Sequence, residues 1–148
     1  MLRTREQVVW DFVQEWMHKA ESDLRAAEHL LSLEQEDYFT SAFHAQQAGE
    51  KFLKAFLVRY QISFGKTHDI QELLKLAGES GVPPLPELAP AEMLTPFGVE
   101  FRYPGDRAVD LMTAQQAVAE ARRIRATVLE RLGDYLSRGR PILHGASE

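Results

Sequence analysis

The chain has 148 residues, no cysteine and a formal net charge of −5 at neutral pH. One domain accommodates that length and buries enough surface to need no staple, and the missing cysteines exclude disulfide frameworks and thiolate zinc sites. The opening MLRTREQVVWDFVQEW is charged throughout, so neither a secretory leader nor a membrane span is expected there, and the expected location is cytoplasmic, with no membrane association.

From Arg5 to Leu33, apolar residues recur at three and four (Val9, Phe12, Val13, Trp16, Ala20, Leu24, Ala27, Leu30, Leu31), which predicts one long amphipathic helix. A second helix is predicted from Asp37, a suitable N-cap, to about Tyr60. Ala42, Ala45, Gly49, Phe52, Leu53, Phe56, Leu57 and Tyr60 form its broad core face. His44, Gln47, Glu50, Lys51 and Lys54 gather within about 120° on the other side. Two ammonium groups flanked by imidazole and amide donors suit a phosphate. The competing reading is a solvated face on which Glu50 and Lys54, four apart, stabilise the helix by about 0.2–0.5 kcal/mol.

GKTHDIQELLKLAGESG reads as a turn and a short helix that stops at Gly81. Its cap is Asp69, in a capping box with Glu72, or Thr67. Lys66, His68 and Asp69 stand at this helix's N-terminus, where free N–H groups favour anions, although Asp69 as a cap would occupy those donors itself. Six of the seven prolines fall in VPPLPELAPAEMLTPFGVEFRYPGD, which predicts a connection packed on the other helices, with room for one short helix. Within it, EFRYPGDR offers Arg102 and Arg107 as planar forks for phosphate and Tyr103 for stacking. The alternative is a proline-held turn in which Tyr103 fills the bundle end and Arg102 pairs with an acid. The last helix is predicted to begin at a Thr113/Gln116 capping box, to bury Val118, Ala121, Ile124, Val128, Leu132 and Tyr135, and to end near Ser137 to Gly139. Residues 1–140 are thus expected to form a single all-α domain, followed by a frayed tail, 141–148.

Charge is unevenly spread. Residues 1–50 hold four basic and ten acidic side chains, residues 51–75 five and two, and residues 107–140 seven arginines against four acids. An anion should therefore meet the middle and the last helix first. Enzyme signatures are missing: no glycine-rich phosphate loop, no H-E-x-x-H, no G-x-S-x-G, and no metal spacing among the five histidines. Glu21 with Asp23, and Glu34 with Glu36, are two apart on a helix and diverge. No metal site is expected and no catalytic residue can be named.

The order of AESDLRAAEHLL, YFTSAFHAQQAGEKFLKAFLV, KTHDIQELL and FRYP resembles a HEPN domain, the family named for nucleotide binding in higher eukaryotes and prokaryotes. The resemblance covers roughly residues 16–136. It implies an up-and-down bundle of four to five helices, similar to the C-terminal domain of aminoglycoside nucleotidyltransferases. It further implies a homodimer that works with a separate minimal nucleotidyltransferase, in some systems as toxin and antitoxin, and that binds a nucleotide such as ATP or an RNA, with no resident cofactor. The matching positions for nucleotide or partner contact are Lys51, Lys54, Lys66, His68, Asp69, Arg102 and Tyr103, with His44, Gln47 and Arg107 as secondary candidates. Other branches of the family are metal-independent ribonucleases that place an Arg and a His a short distance apart near the start of the last core helix. Here the positions after Arg102 where that His should stand hold Arg107, Ala108 and Val109, while Arg138 and His144 approach the spacing only beyond the bundle. The expectation is accordingly a non-catalytic nucleotide-binding or partner-binding module. The alternatives are a ribonuclease toxin, and a dimerising scaffold built on the second helix with Trp10 and Trp16.

Overall fold

The structure, a computed structural model, describes residues 2–79, 85–99 and 103–142, and the described residues contain helices and no strand. Six α-helices follow in order: α1 Arg5–Ser32, α2 Phe39–Arg59, α3 Ile70–Glu79, α4 Thr95–Val99, α5 Leu111–Arg131 and α6 Gly133–Arg138, with a 3-10 helix at Pro86–Leu94. None is long and apolar enough to cross a membrane. Gly81, Arg102 and His144, each given a role by the sequence, lie outside the described residues.

Thr4 starts α1 through a capping box: its hydroxyl accepts from the Gln7 amide at 3.1 Å, and the Gln7 side chain accepts from the Thr4 amide at 3.0 Å. The helix buries Val13, Met17, Ala20, Leu24 and Ala27, but Phe12 stays 49% exposed, so the buried stripe is narrower than the periodicity suggested. Asp37 does act at the start of α2, although Tyr38 holds the cap position. Its carboxylate accepts from the Phe39 amide and, across the chain, from the Val109 amide. The cap of α5 is Asp110 rather than Thr113. The Asp110 carboxylate accepts from the Thr113 amide at 2.7 Å, so Thr113 is already inside the helix. This contact, chiefly with Thr113 and helped by the nearby Arg107, lowers the Asp110 carboxyl below its usual range.

Helix α2 is the centre of the molecule, packed against α1, α3, α4, α5 and the 3-10 helix. Ala42, Ala45, Ala48 and Gly49 allow close approach in its first half, and Phe52, Leu53, Phe56 and Leu57 fill the space in its second. Each large apolar side chain buried this way contributes about 1.5–3 kcal/mol. Both α1 and α5 flank α2. Hydrogen bonds from Ser41 to the Ala27 carbonyl, and from Arg125 to Glu21 and Arg122 to Glu28, show that α1 runs antiparallel to both.

The polar side of α2 differs from the sequence expectation of a wet face. Glu50 and Lys54 are 3% and 5% exposed, because α1 and the loop before α3 cover them. A helical wheel groups polar residues but does not distinguish solvent from a polar neighbour.

Candidate functional site

Two carboxylates organise the polar side of α2. Asp23 of α1 receives Lys51 Nζ on Oδ2 and faces His44 Nδ1 at 2.9 Å on Oδ1. Glu50 of α2 receives Lys54 Nζ at 2.8 Å on Oε2, and His68 Nδ1 stands 3.0 and 3.1 Å from its two oxygens. Each acid thus holds one lysine and one histidine. The amides complete the band: Gln46 Nε2 donates to Glu50 Oε1 and to the His68 carbonyl, and Gln47 Nε2 donates to Gln46 Oε1.

Buried charges survive only when paired and hydrogen-bonded. Lys54 meets that condition through Glu50, and its ammonium also lies 5.5 Å from the Trp16 ring centre and 5.3 Å from that of Phe64. It faces into the protein and cannot meet a ligand as the side chains lie. Lys51, with 22% of its side chain exposed, remains partly reachable, but its charge is taken up by Asp23. The polar side of α2 that the sequence offered to a phosphate is therefore a charge-balanced lock between α1, α2 and the loop before α3.

The KTHD turn resolves into two halves. Thr67 Oγ1 accepts from the Asp69 amide and donates to Glu72, Asp69 accepts from the Gln71 amide, and Thr95 Oγ1 accepts from the Ile70 amide. The N-terminus of α3 is thus occupied by its own caps and by α4, which fills the anion site the sequence offered there. Lys66 and His68 remain outward. His68 has 54% of its side chain exposed, and with Nδ1 on Glu50 its Nε2 is left without a partner among the described residues. Tyr103 is 66% exposed in a turn closed by its amide on Asp106 and by the Asp106 amide on its carbonyl, so it does not fill the bundle end. Arg107 is exposed beside it.

Of the candidates, the structure joins His44 and Lys51 through Asp23, and Lys54 and His68 through Glu50. It leaves Tyr103 and Arg107 in a separate turn. Sequence reasoning missed Gln46 and passed over Asp23, which it met only as half of a diverging carboxylate pair. Nothing local marks Asp23, whose partners are 21 and 28 residues away. No group of three or more His, Asp or Glu side chains among the described residues is placed to hold a metal ion.

A family model described as HEPN domain matches residues 13–132. The chain belongs to the HEPN domain family. The match takes in both carboxylate clusters and the KTHD turn, and it stops short of the Arg138 and His144 pair. HEPN membership supports a nucleotide-binding or ribonuclease-type module. No curated protein and no solved structure matches the chain.

Proposed function

We propose that this HEPN protein is a non-catalytic nucleotide-binding module that works with a separate minimal nucleotidyltransferase, as a homodimer. The observation that carries the reading is the state of His68. Its imidazole is fixed through Nδ1 by the buried Glu50 and turned outward beside Lys66, yet no described arginine bonds to it. A ribonuclease of this family needs an Arg beside its His to steady the scissile phosphate. An outward Nε2, a donor when the imidazole carries both protons, and an ammonium with no partner among the described residues instead give a phosphate two contacts on one short turn without a means of cleaving it. Tyr103 and Arg107 offer a second exposed surface suited to the partner protein. The likeness to the C-terminal domain of aminoglycoside nucleotidyltransferases belongs to the same reading, since it would seat the module beside a nucleotidyltransferase.

Calorimetric titration with ATP, ADP and AMP tests the nucleotide claim. Binding is expected, and Lys66→Gln and His68→Asn should each weaken it. The absence of heat with every nucleotide would sink it. A ribonuclease reading has one observation in its favour: a buried carboxylate holding one imidazole nitrogen is the arrangement of a general base. RNA incubated with the wild-type chain should stay intact. Cleavage that disappears in His68→Ala would replace the binding module with an enzyme.

A further inference from the structure

A cleft of about 560 Å³ opens where the start of α1, the end of α2 and the end of α6 meet, and none of the candidate nucleotide-contact residues lines it. Four arginines do: Arg5, Arg59, Arg138 and Arg140, against one acid, Glu6. In a chain with a net charge of −5 that is a local reversal of sign. Arg140 is neutralised by Asp11, which it grips at 2.8 and 3.1 Å. The other three lack a carboxylate partner among the described residues. Arg5 gives Nε to the Gln61 side chain at 2.6 Å, Arg138 gives Nε to the Asp134 carbonyl at 3.2 Å, and Arg59 is held by rings, its guanidinium carbon 4.1 Å from the centre of Tyr135 and 5.2 Å from that of Tyr60. Stacking fixes a guanidinium without spending its charge. The Arg59 Nε and the Tyr135 hydroxyl are both shut from solvent with no hydrogen-bond partner among the described residues, a state that folded proteins rarely leave uncorrected.

Helix C-termini attract cations through the dipole, and Arg59 and Arg138 end α2 and α6. That accounts for a positive residue at each end but not for Gln61. The amides of Gln61 and Ile62 bond back to the carbonyls of Val58 and Leu57, the closure that usually places glycine at the left-handed position, and Gln61 adopts φ 57° there. A glycine would relieve the strain. The glutamine retains a side chain whose carboxamide aims Arg5 along the cleft.

We propose that this cleft is a binding site for the phosphoryl group of a small phosphorylated metabolite, gripped by Arg5, Arg59 and Arg138 and preorganised by Gln61 and Tyr135. Guanidinium forks match phosphate oxygens two at a time, and three of them around one cleft leave it charge-deficient until an anion arrives.

Isothermal titration of the full chain with pyrophosphate, inorganic phosphate, AMP and adenosine, at constant ionic strength set by sodium chloride, tests the assignment. Pyrophosphate and AMP are expected to bind and adenosine is not. Arg59→Gln and Arg138→Gln should each weaken pyrophosphate by about tenfold or more. Pyrophosphate binding that persists in the Lys66→Gln/His68→Asn double variant and is lost when Arg138→Gln is added assigns it to the cleft, so the two sites fail independently. Gln61→Gly separates function from folding, because it is expected to keep or raise the melting temperature while lowering affinity. Should Arg59→Gln not fold, the exposed Arg138 and Gln61 variants still decide. Equal binding of adenosine and AMP, or unchanged affinity in both Arg138→Gln and Gln61→Gly, would overturn the proposal, as would silence with every phosphate.

Discussion

Glu50 keeps 4% of its side-chain surface exposed and Lys54 6%, so each charge relies on the other in place of water. Removing one partner strands the second, which typically costs about 3–5 kcal/mol, whereas replacing both by apolar groups of similar volume is often neutral. Glu50→Ala is therefore expected to lower the unfolding free energy by about 3–5 kcal/mol in urea titrations, and Glu50→Leu with Lys54→Met to recover most of it. Lys51→Ala, at a more exposed pair, should cost under about 1 kcal/mol. A double variant as unstable as the single one would show that the ion pair is not what Glu50 contributes. Asp11 adds to the acid sensitivity in a different way. Bonds from Arg140 and then Arg3 hold its carboxyl well below the usual carboxylate range. Above the ordinary aspartate value of about 3.9 the group is ionised in both folded and unfolded chains, and its contribution is complete. As pH falls below that value the unfolded chain takes up the proton first, so stability declines. Asp11→Asn should flatten that acid decline, read as the urea midpoint between neutral pH and the acid limb; an unchanged slope would assign the acid sensitivity elsewhere. The sequence showed Lys51 and Lys54 as equals because both sit on the same polar arc. Their difference comes from Trp16 and Phe64, which lie 38 and 10 residues from Lys54 and roof it over.

Helix α4 has five residues, yet its placement governs the polar band. Gly98 lies so close to Gln46 that an added Cβ would fall onto the Gln46 carboxamide. That group is itself held by Glu50, the His68 carbonyl and Gln47, so it cannot swing aside without breaking the band. Gly98→Ala should cost about 1–3 kcal/mol, the usual effect of overpacking. It should also alter the His68 imidazole resonances, although residue 98 is far from His68 in sequence. By contrast, an added Cβ at Gly49 would meet the Cδ1 atoms of Ile124 at 2.9 Å and Leu94 at 3.2 Å, flexible chain ends that can shift. A Gly98→Ala variant of wild-type stability and unchanged histidine spectrum would mean that α4 can move off α2. The helices themselves were legible where the apolar period was long and clear: α1 begins at Arg5, as read. At α5 two capping pairs compete within three residues, and Asp110 prevails because its carboxylate reaches the Thr113 amide. Local pattern alone could not rank them. The proline-rich connection was read correctly as packed, since Leu88, Ala91 and Leu94 are buried in its 3-10 helix. Its hold on α2 through Gly98 depends on a contact no local pattern encodes.

Across the whole molecule, the charge blocks of the sequence find each other. Acids of the first fifty residues meet arginines from residue 122 onward, Glu21 with Arg125, Glu28 with Arg122 and Asp11 with Arg140. The expectation that an anion meets the middle and the last helix first is narrowed, because Arg122 and Arg125 are used across the α1 and α5 contact. Arg5, Arg59 and Arg138, without a carboxylate partner among the described residues, gather at the bundle end. Such exposed pairs contribute little individually, so the stability of the whole rests on the core around α2. Native-state hydrogen exchange tests this directly, since amides that open only on global unfolding mark the element on which all others depend. The amides of Ala45 to Leu57, which face α1, α3, α5 and the 3-10 helix between them, should exchange most slowly, with a free energy matching the global value from denaturant unfolding. Helix α6, six residues long with no buried residue, should open well below that limit. Because Arg138 and Tyr135 stand on α6 while Arg59 stands on α2, filling the arginine cleft should slow exchange in α6 and leave the centre of α2 unchanged. Equal protection of α6 and α2 in the free protein would contradict a core centred on one helix, and would require the bundle end to be part of the same cooperative unit.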